Sequence, residues 1–592
     1  MAHGREPTLR RLRATARDRV HAAARDRVVL AVGAVALLAL VLRLVALGAR
    51  PAHWDEARVA YWALRFEETG AFAYDHIVHG PLLQHVDRWL FALLGPSDFV
   101  ARLPTVAAGT LLPASALLFR DRLRESEVVA LAVLLAVDSA LLYYSRFMRS
   151  DLLVATAMVV ALGCLLRAYD RRQRRYLYGA AVALALGFAS KENAILYVAT
   201  WLGAFALVAD TALFRPDGAE NGLQRVKAAG GRLRAGLSRP AVRYYLPHVV
   251  GAVLVCLGAL LFLFAPRGEY LTYRPVTADR LDATPFWTAV WNPLQFPGMV
   301  LETATYTVEE YTAWTNTAGG DGGIFQKYDS YGRSWVELLG YHAAPLVVLG
   351  IVGFVHERYA AAESRSLVMF FAYAGVAAAV GYPLAMDIFG AWNAVHVAVP
   401  LSVPAAVGVG TLLRWANDAR ADRDLLTVVL VALVVLAAAV PAAAAAYGSV
   451  YGAPDSADNR LVQYGQPTME LRETLTEVDR IVANNPGTDV LVYGSQFTGE
   501  SESAYYEPAC LGDSGWFDSL PLPWYYESMD AEVACAPSQG ALESQQEPLP
   551  PVIVTHADNV AVFDDRLEEY DVAVHQIRTT NTPVAVFTRS GA

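Results

Sequence analysis

Apolar stretches long enough to cross a bilayer recur along the first three quarters of the chain, separated by short polar breaks. Eleven are predicted to be transmembrane helices, at approximately 28–49, 100–118, 127–144, 151–168, 176–190, 193–213, 244–266, 339–355, 366–386, 394–413 and 424–447. The pattern changes after residue 447. "DVLVYGS" (489–495), "PPVIVTHA" (550–557), "YDVAVHQI" (570–577) and "TPVAVFT" (582–588) read as strands, and 468–484 and 558–569 have helical spacing. The expected architecture is a mainly α, polytopic membrane domain over 1–447 with long outer loops at 50–99 and 267–338, then a small α/β domain over 448–592.

Composition supports the membrane reading. The 592 residues are 55% hydrophobic and only 18% charged, too apolar for a soluble enzyme of this size. The first apolar stretch is not a cleavable signal peptide: it is long, lacks a small-residue cleavage site and follows a long basic segment. Lys and Arg are distributed unevenly, with 28 in the N-terminal segment and alternate loops against 12 in the intervening ones. That bias predicts a multi-pass protein of the cell membrane with a cytoplasmic N-terminus and an extracytoplasmic C-terminal domain. Residues 448–592 carry 23 Asp or Glu against six Arg and no Lys, which reads as adaptation to high salt or as plain solubilising charge. Cys164 and Cys256 fall within spans, whereas Cys510 and Cys535 share the outer domain, where a disulfide is permitted.

Ionisable residues at membrane depth are costly, so their placement is informative. Asp55, Glu56, His79, Arg146, Arg149, Asp151, Lys191, Glu192 and His396 all fall at the outer membrane face under this topology. Each has a plain alternative. Asp55 is a natural N-cap for the helical run that ends at Gly70, and Glu56 suits the helix dipole. Arg146 and Arg149 suit lipid phosphates, Asp151 could cap the fourth span, Lys191–Glu192 could pair at a helix end, and His396 could be a core histidine. These readings do not explain why short turns keep both signs of charge at the membrane boundary. A reacting nucleophile needs a carboxylate and an anionic lipid needs cations. The loop 267–338 adds thirteen aromatic residues, suited to sugar faces or to an interfacial belt.

The chain resembles GT-C-class membrane glycosyltransferases of the protein O-mannosyltransferase and aminoarabinose transferase type. Within them it is most similar to the archaeal flippase activity-associated proteins of N-glycosylation. The resemblance rests on Asp55–Glu56, "HGPLLQ" (79–84), "ARLPTVAAG" (101–109), "SRFMRSD" (145–151), "SKEN" (190–193) and "PLPWYYESM" (521–529). It covers most of the chain and is strongest over 50–200. One departure is Ala391–Trp392, where the subgroup usually has a proline before the tryptophan. The resemblance implies an inverting transferase using a polyprenyl (dolichyl) phosphate-linked sugar, with a lipid-linked glycan or a protein as acceptor. Asp55 would be the base with Glu56 as support, and Lys191, Arg146, Arg102 and His396 would face the phosphate. Asp151 would orient a cation or a sugar hydroxyl, and His79 belongs to the same donor set. No cofactor is expected. His53, His76, His79 and His85 leave a divalent metal open, but no spacing is diagnostic. Membrane lipid is an expected partner and nucleic acid is not. The alternatives are a non-catalytic accessory protein that assists flipping or hand-over of lipid-linked sugars and, disfavoured by charge clustered at one face, a transporter.

Overall fold

A computed structural model describes Asp26–Ser590 apart from residues 76–79, 269–283, 320–323, 499–512, 564–568, most of 215–238 and a few isolated positions. Eight helices among the described residues are long and apolar enough to span a membrane: Arg27–Leu44, Asp98–Phe119, Ser150–Arg171, Ala194–Thr211, Arg243–Phe264, Ser366–Ala385, Ala391–Ala421 and Leu425–Gly452. A ninth arises if Gln326–His342 and Ala344–Ala360, bent by 77°, count as one span. The expected eleven are therefore not reached. The two remaining apolar stretches are helical but short. The stretch 127–144 is broken into Glu125–Val137 and Ser139–Tyr144 by Asp138, whose carboxylate caps the second piece through Ala140 N (3.1 Å) and Leu141 N (3.0 Å). The stretch 176–190 forms a 17-residue helix, Arg174–Ser190, of roughly 26 Å at 1.5 Å per residue.

The first outer loop contains two helices, Trp54–Thr69 and Leu82–Leu94. The first begins with a capping box: His53 Nδ1 accepts from Asp55 N (3.0 Å), and Glu56 Oε2 accepts from His53 N (2.9 Å). Asp55 is therefore not the N-cap that its position suggests. It sits in the first turn, with its side chain left for other partners. Gly70 ends this helix at φ 69°, a left-handed conformation that glycine adopts without strain. The loop 267–338 is largely helical, with Phe286–Trp291, Phe296–Gly319 and Ile324–His342. Tyr306 and Tyr311 of the second of these donate to Tyr74 O (2.6 Å) and Phe188 O (2.7 Å), packing it beside the 50–99 loop and the C-terminal end of the Arg174–Ser190 helix.

The C-terminal region forms a five-stranded mixed sheet in the order β2-β1-β3-β5-β4. The strands are β1 Val490–Tyr493, β2 Val533–Ala536, β3 Val552–His556, β4 Tyr570–Arg578 and β5 Asn581–Arg589. Strand β1 runs parallel to β2 and β3, whereas β5 is antiparallel to β3 and β4. Four strands lie where the alternation places them. The fifth, β2, has only four residues and escapes a pattern search. Cys535 in β2 is disulfide-bonded, whereas Cys164 and Cys256 are free. Cys510 lies outside the described residues.

The sheet's lower face and the first outer loop share one apolar core. Leu471, Leu475, Val490, Val552 and Trp524 pack with Ala57, Tyr61, Leu83 and Phe91. Buried Asp98 fixes the docking angle by accepting from Trp524 Nε1 (2.9 Å), Tyr525 Oη (2.8 Å) and Arg472. Gly465 O accepts from Trp54 N at 2.9 Å, so the C-terminal region also supports the start of the Trp54 helix.

Candidate functional site

Glu56 and Asp55 are adjacent in sequence but have different surroundings. Glu56 is fully buried. It accepts from Arg102 (2.8 and 2.9 Å), Arg50 (2.8 Å), Met148 N (2.8 Å) and His53 N (2.9 Å). Burial alone would raise its pKa, but Arg102 and Arg50 outweigh that and hold the carboxyl well below the usual carboxylate range. Burial lowers the His53 pKa to about 4, so its ring is neutral at pH 7 and Nδ1 can accept. These bonds tie together the first loop, the second span and the 145–150 turn.

Asp55 retains some solvent access, with 14% of its side chain exposed, and meets two guanidinium groups. Arg58, one helical turn on, is 3.1 Å away, and Arg149 is in direct contact. Arg149 bridges to Asp151 through Nε at 3.4 Å. Asp151 is wholly buried and also receives Lys191 Nζ (3.1 and 3.2 Å) and His396 Nε2 (3.2 Å). His396 is oriented by Tyr197 Oη at 2.8 Å from Nδ1, by Asn193 at 2.9 Å, and by Tyr382, stacked at 4.9 Å. Trp392 lies under the cations, its ring centroid 3.6 Å from the Arg149 guanidinium carbon and 5.5 Å from Lys191 Nζ.

A continuous polar chain therefore runs Asp55, Arg149, Asp151, then Lys191 and His396. It joins the first loop, the start of the fourth predicted span, the turn before the sixth and the start of the tenth. Arg58, Arg149 and Lys191 set three positive charges against the two carboxylates, so the site favours an anion. Beside it, a narrow apolar pocket with a cavity volume of about 30 Å³ is lined by His396, Tyr382, Tyr197, Trp201, Phe371 and Val159.

The other residues that the sequence singles out lie elsewhere. Arg102 is engaged with Glu56 and with the carbonyls of Leu47 (2.7 Å) and Arg50 (3.0 Å). Arg146 caps the carbonyl end of the first span, donating to Arg43 O (2.9 Å), Val45 O (2.6 Å) and Ala46 O (3.1 Å). Neither reaches the Asp151 group. His79 and His76 lie outside the described residues. Among the described residues, no three His, Cys, Asp or Glu side chains converge as a metal requires. Tyr197 and Arg58 do not stand out in the sequence. The i, i+4 spacing of Asn193 and Tyr197 and the i, i+3 spacing of Asp55 and Arg58 are the signals that point to them.

Residues 78–216 match the dolichyl-phosphate-mannose-protein mannosyltransferase family, and residues 471–589 match the Agl23 flippase-associated protein C-terminal domain. No curated protein matches the chain. Among solved structures, ArnT from Cupriavidus metallidurans in the apo state is similar at TM-score 0.51 and 14% identity, over 94% of this chain and 97% of ArnT. The same protein bound to undecaprenyl phosphate gives 0.51 and 15% over the same shares. The archaeal oligosaccharyltransferase AglB from Archaeoglobus fulgidus, in complex with an inhibitory peptide and a dolichol-phosphate, gives 0.47 and 15% over 89% of this chain and 70% of AglB. Residues 78–216 therefore share the pattern of the dolichyl-phosphate-mannose-protein mannosyltransferase family and residues 471–589 that of the Agl23 flippase-associated C-terminal domain, on a polytopic helical fold similar to that of ArnT.

Proposed function

We propose that the chain is an inverting glycosyltransferase that takes a sugar from a polyprenyl phosphate at the extracytoplasmic membrane face. The observation that carries this reading is the polar chain from Asp55 through Arg149 and Asp151 to Lys191 and His396. Asp55 takes the proton of an acceptor hydroxyl as its oxygen bonds to the anomeric carbon. The bond from that carbon to the phosphate oxygen breaks on the opposite side, and the electron pair leaves with the lipid phosphate. Arg149 and Lys191, already fixed by Asp151, stabilise the developing charge. A lipid-linked glycan or a protein serves as acceptor. Arg102, Arg146 and Glu56 support this geometry by holding the first loop and the 145–150 turn in place.

The match of 471–589 to a flippase-associated domain favours a second reading, a non-catalytic protein that hands over lipid-linked sugars. Asp55→Asn separates the two. Asn keeps the shape but cannot accept the proton, and a positioned base is commonly worth ~10²–10⁴ in rate. Sugar transfer by the purified variant should fall by at least about a hundredfold while polyprenyl-phosphate binding persists. Unchanged glycan assembly in cells carrying Asp55→Asn would rule out catalysis and favour the accessory role.

A further inference from the structure

Trp392 has no part in the chemistry proposed above, yet it touches both cations that face the phosphate. It lies in the short turn Ala391–Asn393 that opens the Ala394–Ala421 helix, and it is buried. Its indole is folded back over Gly390, where a Cβ would stand 2.6 Å from the ring. The ring thus lies close against Gly390, and its centroid is 3.6 Å from the Arg149 guanidinium carbon and 5.5 Å from Lys191 Nζ.

Arg149 needs such a support. It is buried, and it lies between two carboxylates that pull it in opposite directions, Asp55 in direct contact and Asp151 at 3.4 Å. Those two ion pairs engage Nη1 and Nε at the guanidinium's edge and leave its flat face to be held by another group. A flat π face attracts the guanidinium without neutralising it, so Arg149 keeps its charge for an incoming anion.

We propose that Trp392 is a positioning residue of the transfer site, holding the Arg149 guanidinium in place between Asp55 and Asp151 so that it is preorganised for the donor phosphate. The proposal rests on the donor reading given above. Its test is the affinity of the purified full-length chain for undecaprenyl phosphate in detergent. The proteins compared are wild type, Trp392→Phe, Trp392→Leu, Gly390→Ala, Arg149→Gln and the double variant Arg149→Gln/Trp392→Leu.

Phe keeps an aromatic face and should bind within about threefold of wild type. Leu removes the face, and Ala at Gly390 displaces the ring without changing any charge. Each should weaken binding about tenfold, the scale of one desolvated cation–π contact. Because Trp392 acts through Arg149, the double variant should bind no more weakly than Arg149→Gln alone. Fully additive losses in the double variant would overturn the proposal, and so would equal losses for Phe and Leu or wild-type affinity for Leu. A wild-type chain that binds no polyprenyl phosphate would overturn the donor reading itself, and this proposal with it.

Discussion

At the scale of single residues, the neighbours Asp55 and Glu56 have opposite roles. Glu56 is saturated with donors and surrounded by guanidinium groups, whereas Asp55 keeps one edge towards solvent. Glu56→Gln should therefore damage the fold more than the chemistry. Gln cannot neutralise Arg50 and Arg102, and breaking such a buried pair costs about 3–5 kcal/mol. The expected outcome is a large loss of yield and melting temperature in detergent-purified protein. In acid, Glu56 should be among the last carboxylates to yield. Its folded pKa lies below the unfolded value, so its stabilisation is full above about pH 4 and is lost only as pH falls further. The two carboxylates and the Arg149–Asp151 turn are legible in the sequence, because ionisable residues stand out in apolar surroundings. The division of the arginines between support and site is not. Arg102, Arg146 and Arg149 are alike in composition and in distance from a span. What separates them is which carbonyl or carboxylate each meets after folding.

At the scale of elements, the helix Leu82–Leu94 carries an unusual burden. Asp87 lies on its buried face, and neither carboxyl oxygen has a hydrogen-bond partner among the described residues. Burial pushes this carboxyl well above the usual range, which favours its protonated form. The folded state then binds more protons than the unfolded one, and stability falls as pH rises from the unfolded pKa of about 3.9 towards the folded value. Asp87→Asn removes that penalty. It should raise the melting temperature at pH 7, and the gain should vanish near pH 4 in a thermal-shift series. Elements are legible in the sequence where periodicity is long. Four strands and most spans stand near their expected places, while the break at Asp138 is hidden within an apolar run. The helices inside 267–338 are hidden by their polar, aromatic composition, and β2 by its shortness.

At the scale of the whole molecule, the C-terminal sheet domain shares its core with the 50–99 loop. Trp524 is buried against Phe91, their ring centroids 5.5 Å apart, and bonds to Asp98. Trp524→Ala should cost about 3–5 kcal/mol of local stability. Limited digestion with trypsin should then cleave faster after Arg460, whose side chain is already 45% exposed. This coupling between loop and domain is not legible in the sequence, because Asp98 and Trp524 lie 426 positions apart and neither stands in a periodic pattern.

The contact of Gly465 with Trp54 has a temporal consequence. The ribosome makes the helix bearing Asp55 early, and makes the strands that complete its surroundings last. A chain still under synthesis, or one stopped by a premature termination codon, presents the acid without the partner that orders the turn around it. Such a fragment lacks the carbonyl that holds the start of the Trp54–Thr69 helix, so the surroundings of Asp55 are completed only after synthesis has passed residue 465.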